Sequence, residues 1–280
     1  MKQSARVLIQ ISRPLGWLVA PLVFLLGLTA FGTPLIPMAI VQVVLLSFPY
    51  CIVLYGTNDL YDYEADKVNP RKPKRDSVEM EMVMFPLIKR LSLIIVIGLL
   101  ISSLATLNLT NIFAMGILLF FSYFYSAPPI RFKKWPPMDS VSNGILYFYA
   151  PVLLGASFGA TIIQIPIQVY FITACVMGIH SFSTIMDYSA DKLVGERTFA
   201  TVYGKRVASF FTMVVFVLAY LFSGFQGMIV GYYLIVCGVL AAILTIVSSE
   251  KLGRYLFYGM GVGFGIVAVL EVLRYLAFFY

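Results

Sequence analysis

Long apolar stretches alternate with short polar connections along the whole chain. Nine of these stretches approach the length of about 20 residues that a helix needs to cross the hydrocarbon core of a bilayer. They predict transmembrane helices over residues 15–32, 36–57, 84–106, 111–126, 140–160, 166–187, 207–224, 227–248 and 255–277. Strands of a transmembrane β-barrel would instead alternate apolar and polar positions over about ten residues. The pattern therefore predicts an all-α membrane protein that forms a single polytopic domain over residues 1–280.

The composition supports this class of protein. Of the 280 residues, 60% are hydrophobic and 12% are charged, and the mean hydropathy is +0.91. A soluble domain is about 45–50% apolar and about 25% charged. These values exclude a water-soluble enzyme, and an aromatic content of 15% excludes a disordered chain. The three cysteines lie in apolar stretches without metal-ligand spacing, so we interpret them as packing residues.

The connections between the stretches predict the orientation in the membrane. Basic connections at 58–83, 127–139, 188–206 and 249–254 alternate with short connections that carry no Lys or Arg. All 20 Lys and Arg residues except Arg274 lie on the side of the N-terminus and the basic connections. Short loops rich in Lys and Arg stay in the cytoplasm, so this side is predicted to be cytoplasmic and the C-terminus to be outside. The net charge of +7 suits an anionic membrane surface or substrate, whereas its place on membrane loops argues against nucleic-acid binding.

Two acidic segments form an internal repeat. Residues 62–68 read DYEADKV and residues 187–193 read DYSADKL, so five of seven positions are identical. Each copy lies at the cytoplasmic end of an even-numbered predicted span, the second and the sixth. This position predicts a duplicated four-helix unit followed by a ninth helix.

Helical spacing would place the acids of each copy on one face, because side chains three or four residues apart lie on the same side of a helix. The predicted faces carry Asn58, Asp59, Asp62 and Asp66 in the first copy, and His180, Asp187 and Asp191 in the second. Like charges at this spacing repel, and carboxylates are costly near a bilayer. Bound divalent cations are the simplest compensation.

Oxygen ligands at a membrane boundary favour Mg²⁺, which typically joins one or two carboxylates to substrate phosphate oxygens. Two facing Asp clusters predict two Mg²⁺ ions that hold a diphosphate between them. Basic residues of the polar loops are candidates to meet the remaining phosphate charge, namely Arg71, Lys72, Arg131, Lys133, Lys134, Lys192 and Arg197.

Two other classes of protein also fit an acid cluster in a membrane. A cation-coupled transporter is one, because intramembrane acids mark ion pathways, but transporter sites usually lie near the midplane rather than at span ends. The other is a catalytically silent scaffold, which would bind neither Mg²⁺ nor a diphosphate.

At these residues the sequence resembles the UbiA superfamily of intramembrane prenyltransferases. Residues 58–66, NDLYDYEAD, match the family's first motif, NDxxDxxxD. The second motif, DxxxD followed by Gly and Thr, is matched by Asp187, Asp191, Gly195 and Thr198. The loop 125–133, YSAPPIRFK, resembles the family's Tyr-to-Lys loop. Over the whole chain, the resemblance implies a bundle of nine transmembrane helices around a cavity that opens to the lipid.

The resemblance also implies a reaction, in which an isoprenyl diphosphate loses its diphosphate and the allylic cation joins a lipophilic acceptor. The implied metal ligands are Asp59, Asp62, Asp66, Asp187 and Asp191. The implied catalytic residues are Asp62, Asp66, Asp187, Asp191, Tyr125 and Lys133. The implied diphosphate ligands are Asn58, Arg71, Lys72, Arg131, Lys133, Lys192 and Arg197.

Within the family, several loop residues look like those of lycopene-elongase members, which add C5 units from dimethylallyl diphosphate to the ends of a carotenoid. These are residues 128–133, residues 139–144 and the triplet that begins at His180. Geranylgeranyl transfer to geranylgeranylglyceryl phosphate and prenyl transfer to an aromatic quinone precursor are the alternatives. Asp139 and Ser140 are expected to cap the N-terminus of the fifth span. Candidates to contact the acceptor or the cation, with helix packing as the alternative, are Tyr55, Asn143, Tyr147 and His180.

Overall fold

The computed structural model describes residues 2–68 and 78–279, and it describes side chains at 6–63, 82–274 and 277. Throughout these residues the regular structure is helical. The α-helices are α1 (Lys2–Ile11), α2 (Val19–Ala30), α3 (Pro37–Leu46), α4 (Phe48–Cys51), α5 (Thr57–Val68), α6 (Val78–Leu104), α7 (Leu109–Phe124), α8 (Met138–Gly144), α9 (Ala150–Ala156), α10 (Ile167–Ser183), α11 (Tyr188–Leu193), α12 (Phe199–Tyr203), α13 (Lys205–Phe222), α14 (Ile229–Val247) and α15 (Glu250–Phe279). The all-α prediction is confirmed.

Five helical segments of the described chain are long and apolar enough to cross a membrane. They are Pro37–Tyr63, Met82–Leu104, Lys205–Phe222, Ile229–Val247 and Glu250–Arg274. Shorter apolar helices cover Pro14–Ala30, Leu109–Phe124 and Ile167–Ser183. Helices therefore occupy the predicted spans, although fewer than nine of them have the full length of a span.

The fifth predicted span, 140–160, is a succession of short pieces. Between α8 and α9 the backbone forms a π-helical segment over Ile145–Tyr149. Pro151, near the start of α9, has no N–H to donate to a regular α-helical ladder. π-Helical turns occur mostly as single-turn insertions inside α-helices. A similar π-helical segment, Ile52–Gly56, leads into α5 and the first acidic motif.

The chain forms two compact units. Unit 1 contains Met1–Arg131 and Ala150–Ile163, and unit 2 contains Phe132–Tyr149 and Gln164–Tyr280. In unit 1, α2 packs closely on α9 because each helix presents a glycine at the crossing. A Cβ added to Gly27 would lie 2.1 Å from the carbonyl oxygen of Val152, and one added to Gly155 would lie 1.9 Å from that of Phe24. Small residues at helix crossings are typical of membrane bundles.

A buried polar network ties three helices of unit 1 to the turn that follows α9. Gln42 of α3 and Asn111 of α7 exchange two amide hydrogen bonds, of 2.9 and 3.1 Å. The amide oxygen of Asn111 also accepts from Ser103 of α6 at 2.7 Å, and its nitrogen donates to Ser157 at 2.9 Å. Such amides need partners in an apolar surrounding, because an unsatisfied polar group there is costly.

The core of unit 2 is an apolar cluster built mainly from α10, α13, α14 and α15. Its largest fully buried side chains include Phe182, Phe216 and Leu244. Between α10 and α13, Thr212 donates to the carbonyl oxygen of Gly178 at 2.7 Å. Cys51, Cys175 and Cys237 are all buried and free, which agrees with their interpretation as packing residues.

Candidate active site

The first acidic motif lies on α5, which begins directly after the π-helical segment. Asn58, Asp59, Asp62 and Asp66 all fall on this helix, so the helical spacing predicted for the motif is confirmed. Asp62 is only 9% exposed. The side chain of Asp66 lies outside the described residues.

Two arginines of unit 1 form ion pairs with this motif. Arg13 Nη2 lies 3.2 Å from Asp59 Oδ1, and its guanidinium lies 4.5 Å from the ring centroid of Tyr55. Arg131 Nη2 lies 3.7 Å from Asp62 Oδ1. Sequence reasoning selected Arg131 but missed Arg13, because a pairing across 46 residues leaves no local spacing signal.

Both arginines have an unusual backbone conformation. Arg13 has φ of 51° and Arg131 has φ of 52°, so both adopt the left-handed conformation that side chains other than glycine rarely occupy. Arg131 is further held by donating from Nε to the carbonyl oxygen of Ser126 at 3.1 Å and from Nη2 to that of Tyr61 at 3.3 Å. These bonds offset a backbone strain of about 1–2 kcal/mol. The chain thus places a fixed cation beside each described carboxylate of the first motif.

The remaining candidates of unit 1 surround this helix. Ser126 Oγ donates to Asn58 Oδ1 at 2.7 Å, which fixes the side chain that opens the motif. The hydroxyls of Tyr61 and Tyr123 lie 3.0 Å apart. Tyr125 is the C-cap of α7 and is half-buried. Arg71 and Lys72 lie outside the described residues.

The second motif lies on a short helix of unit 2. Asp187 is the N-cap of α11, and the Asp191 N–H donates to the Asp187 carbonyl oxygen at 2.8 Å. The two aspartates are therefore one helical turn apart, as predicted. Their surroundings differ from those of the first motif, because α11 is not the end of a long helix.

The prediction that His180 shares a continuous helical face with Asp187 is wrong. The preceding helix α10 ends at Ser183, and a turn over 184–187 separates it from α11. Ser183 Oγ donates to the His180 carbonyl oxygen at 2.7 Å, and Thr184 Oγ1 donates to that of Ser181 at 2.6 Å. Hydroxyl side chains that bond to preceding carbonyls in this way compete with the helical ladder. Helical periodicity therefore does not carry from His180 to Asp187.

A basic and an acidic side chain from outside the motif hold α11 in unit 2. Arg254 Nη2 lies 3.9 Å from Asp187 Oδ1 and donates to the Met186 carbonyl oxygen at 3.4 Å. Ser189 Oγ donates to Glu250 Oε1 at 2.5 Å. Both outside residues belong to the first turns of α15. Sequence reasoning did not single out either of them.

The loop that follows the second motif rests on Asp139. This carboxyl group is 1% exposed, and it accepts from the N–H of Ser140 at 2.6 Å and from the N–H of Phe199 at 3.0 Å. The expectation of a simple N-cap is corrected, because Pro137 is the N-cap of α8 and Asp139 lies inside its first turn. Burial raises the pKa of Asp139 from 3.8 to about 6, and the two N–H donors oppose that rise.

The basic candidates of unit 2 lie around this loop. Lys192 and Arg197 are exposed, and Lys192 Nζ lies 5.6 Å from the ring centroid of Tyr188. Lys133 lies in the short helical turn Phe132–Lys134. The next residue, Lys134, pairs with Glu196 at 3.9 Å.

The weaker acceptor-contact candidates of unit 2 have their own neighbours. His180 Nδ1 lies 3.0 Å from Ser140 Oγ. Asn143 is buried and donates to the carbonyl oxygen of Asp139 at 2.7 Å. Tyr147 is half-buried in the π-helical segment.

The carboxylates fit Mg²⁺ by their chemistry. Where side chains are described, no three His, Cys, Asp or Glu residues gather tightly enough to hold a metal ion on their own. Each unit does supply a pair of aspartates on one helix, Asp59 with Asp62 and Asp187 with Asp191. Mg²⁺ usually takes one or two carboxylates and completes its shell with water and substrate phosphate, so these oxygen donors suit it.

Apolar helices long enough to cross a bilayer and two acidic motifs beside polar loops define a multi-pass membrane protein. The chain belongs to the UbiA prenyltransferase family, whose family model matches residues 18–255. It is therefore a prenyltransferase enzyme. The predicted resemblance to the UbiA superfamily is confirmed.

Curated relatives carry a more specific name. The chain is 28% identical over 236 residues to the lycopene elongase/hydratase of Haloarcula japonica, covering 82% of this chain and 78% of that protein. It is 30% identical over 203 residues to the lycopene elongase/hydratase of Halobacterium salinarum, covering 71% and 72%. A relative of the same name from Corynebacterium glutamicum is 28% identical over 231 residues, covering 78% of this chain and 77% of that protein.

Solved structures agree in fold. A UbiA homologue from Archaeoglobus fulgidus bound to GPP and Mg²⁺ superposes with a TM-score of 0.71 at 20% identity, covering 96% of this chain and 98% of that one. A digeranylgeranylglyceryl phosphate synthase superposes with a TM-score of 0.72 at 19% identity, covering 98% and 99%. At this level of identity the likeness establishes the UbiA fold.

Proposed function

We propose that this enzyme moves an isoprenyl group from an allylic diphosphate to a lipophilic acceptor in a Mg²⁺-dependent reaction, and that it adds C5 units to lycopene or a related carotenoid. The observation that carries the acceptor class is the relation to lycopene elongase/hydratases over about three quarters of the chain. Retention of both acidic motifs on helices supports the metal-diphosphate chemistry.

In this proposal the carboxylates that would hold two Mg²⁺ ions are Asp59, Asp62 and Asp66 in the first motif and Asp187 and Asp191 in the second. When bound, the metal supplies Lewis-acid stabilisation of the departing diphosphate. Arg13, Arg131 and Arg254 balance the charge of these carboxylates before ligands arrive. Because the Arg13–Asp59 and Arg254–Asp187 pairs are exposed or half-exposed, they are weak, and a metal and a diphosphate can replace them at low cost.

The basic and aromatic residues of the loops would then bind and orient the donor. The proposed diphosphate ligands are Asn58, Arg71, Lys72, Arg131, Lys133, Lys192 and Arg197. Tyr125 and Lys133 are proposed to act at the departing diphosphate. Tyr55, Asn143, Tyr147 and His180 are proposed as contacts to the cation or acceptor, where an aromatic face can stabilise positive charge.

The bond changes are simple. The allylic carbon–oxygen bond breaks, a carbon–carbon bond to the acceptor forms, and the resulting cation loses a proton, either directly or after it takes up water. Apolar side chains around the reacting carbons would limit early capture of the cation by water.

The proposed membrane topology is the one that the sequence predicts. In this proposal the chain forms one polytopic domain that crosses the membrane nine times, as two four-helix repeats and a ninth helix. The N-terminus and both acidic motifs are cytoplasmic, and the C-terminus is outside.

A product-mass assay tests the proposal. Purified protein in lipid with Mg²⁺ receives C5 and C20 allylic diphosphates together with lycopene, geranylgeranylglyceryl phosphate and an aromatic quinone precursor. Lycopene that gains C5 units supports the carotenoid reaction. Transfer of C20 to the glyceryl phosphate or to the aromatic compound would overturn the proposed acceptor while retaining prenyl transfer. Absence of diphosphate release with every acceptor would overturn the proposed reaction for this panel.

A further inference from the structure

The two copies of the acidic repeat differ in chemical type at one of their seven positions. Across the seven repeated residues, the last position exchanges Val68 for Leu193, and the only change of chemical type replaces Glu64 by Ser189. Ser189 is also the residue at which the second copy contacts Glu250 of α15. In the proposed layout α15 is the ninth helix, which lies outside the duplicated unit. The residue that changes type between the two copies, Ser189, is therefore also the residue that contacts the added helix.

The contact is specific to a small hydroxyl side chain. Ser189 Oγ donates to Glu250 Oε1 at 2.5 Å, and the Ser189 N–H lies 3.5 Å from Glu250 Oε2. A second glutamate at position 189 would bring two carboxylates together and would repel Glu250. A serine instead donates a charge-assisted hydrogen bond, which is the stronger class of such bonds.

Glu250 is itself firmly placed. It is the first residue of α15, where the helix dipole favours a negative charge. The preceding residue, Ser249, accepts a hydrogen bond from the Leu252 N–H at 3.3 Å and so caps the helix. Lys205 Nζ of α13 lies 3.5 Å from Glu250 Oε1 and 5.0 Å from the ring centroid of Tyr188. Two long helices thus converge on α11.

The helix that they hold is too short to position itself. A six-residue helix such as α11 is far below the length of about 12–15 residues at which isolated helices become even marginally stable. Its aspartates, Asp187 and Asp191, flank Ser189 on the same turn of backbone. Their placement must therefore come from contacts outside α11, and the bond from Ser189 to Glu250 is one of them, beside the pairing of Arg254 with Asp187.

We propose that Glu250 is a positioning residue for the second acidic motif, acting through its hydrogen bond with Ser189 to hold Asp187 and Asp191 for the metal and the diphosphate. This inference rests on the proposed function and deepens it. Glu250 acts through Ser189 and does not itself contact the substrate.

The first test is a property of the metal-free protein. Hydrogen exchange of the peptide 187–194 is measured by mass spectrometry for the wild type and for Ser189→Ala, Glu250→Ala and Glu250→Gln. Ser189→Ala and Glu250→Ala should speed exchange in this peptide, whereas Glu250→Gln should not, because a glutamine oxygen still accepts from Ser189. The matched control is Glu271→Gln, which removes a carboxylate from the same helix at its pair with Arg274 and should change nothing in this peptide.

The second test is metal dependence. The Mn²⁺ concentration that half-saturates binding, followed by electron paramagnetic resonance with dimethylallyl diphosphate present, should rise about tenfold in Ser189→Ala and Glu250→Ala, as expected for loss of a charge-assisted hydrogen bond. It should rise less than about threefold in Glu250→Gln, which keeps the acceptor for the hydroxyl donor. The Mg²⁺ concentration for half-maximal diphosphate release should follow the same order, with a smaller effect on the rate at saturating metal.

The outcomes separate the inference from the proposed function. Unchanged exchange and unchanged metal dependence in both alanine variants would overturn the role of Glu250. A Glu250→Gln variant as impaired as Glu250→Ala would also overturn it, since charge and not the hydrogen bond would then be responsible. Ser189 is exposed, so Ser189→Ala remains informative if Glu250→Ala does not fold. A wild-type protein that releases no diphosphate would instead refute the proposed function, and the exchange measurement would still report on Glu250.

Discussion

Arg131 Nη2 lies 3.7 Å from Asp62 Oδ1, and the same guanidinium donates to the carbonyl oxygens of Ser126 and Tyr61. The arginine thus joins the loop after α7 to the most buried described carboxylate of the first motif. It is fixed from several directions and lies in a strained left-handed conformation. A cation held this rigidly is well suited to meet an anionic group that binds beside Asp62.

Replacement of Arg131 by alanine should lower kcat/KM for the allylic diphosphate by at least about tenfold, because a charged donor beside the proposed diphosphate site is lost. Arg131→Lys should retain part of the activity, since it keeps the charge without the planar set of donors. Steady-state kinetics at saturating Mg²⁺ measure both. Arg206→Ala, which removes an exposed basic side chain of α13, is the control. Kinetics of Arg131→Ala equal to those of the wild type would contradict this role.

Asp62→Asn and Asp191→Asn should each abolish turnover. Asparagine keeps the size of the side chain but removes the negative charge that a divalent cation requires. The variants should still fold, which size-exclusion chromatography and thermal unfolding in detergent would establish. Diphosphate release is the direct measurement, with Glu271→Gln as a charge-loss control away from both motifs. Substantial turnover in both variants would refute the metal-diphosphate mechanism.

The sequence correctly predicted the features that depend on residues close together in the chain. Hydropathy located the long helices, and the spacing of Asn58, Asp62 and Asp66 correctly predicted a helix over the first motif. In the second motif, helical spacing holds between Asp187 and Asp191 but does not extend back to His180. The apolar pattern continues through Ile185 and Met186, so nothing in the hydropathy marks the turn that ends α10.

Most of the site contacts that the sequence did not predict join residues far apart in the chain. Arg13 meets Asp59 across 46 residues, and Ser189 meets Glu250 across 61. Neither pair forms a helical repeat or a short motif, so the sequence offers no spacing to detect it. The role of Asp139 was predicted only in part. A capping carboxylate was expected, but its bond to the N–H of Phe199 depends on how unit 2 folds around it.

Asp139 should make the stability of the protein depend on pH between about 4 and 6. Its folded-state pKa is raised to about 6 from 3.8, so in this range the unfolded carboxyl group is ionised while the folded one still binds its proton. Folding then takes up a proton, and the free energy of unfolding falls as the pH rises, levelling off above about pH 6. Thermal unfolding in detergent from pH 4 to pH 8 measures this slope.

Asp139→Asn is the matched comparison for that measurement. It keeps an oxygen acceptor for one of the two N–H groups but cannot titrate, so the unfolding temperature of the wild type minus that of the variant should fall as the pH rises. Other titrating groups contribute equally to both proteins and cancel in this difference. A difference that stays constant from pH 4 to pH 8 would show that Asp139 does not carry the shifted pKa.

The amide pair within unit 1 predicts an asymmetry between two substitutions. Asn111→Leu removes the partner of Gln42, Ser103 and Ser157 together, whereas Gln42→Leu leaves Asn111 bonded to both serines. Interhelical hydrogen bonds of this kind contribute about 0.6–2 kcal/mol each. Asn111→Leu should therefore lower the unfolding temperature more than Gln42→Leu. The decrease in unfolding temperature of the double variant should be no greater than the sum of the decreases in the two single variants, because the two residues share their hydrogen bonds. Equal losses from both single variants, measured by thermal unfolding in detergent, would mean that Asn111 is not the centre of the network.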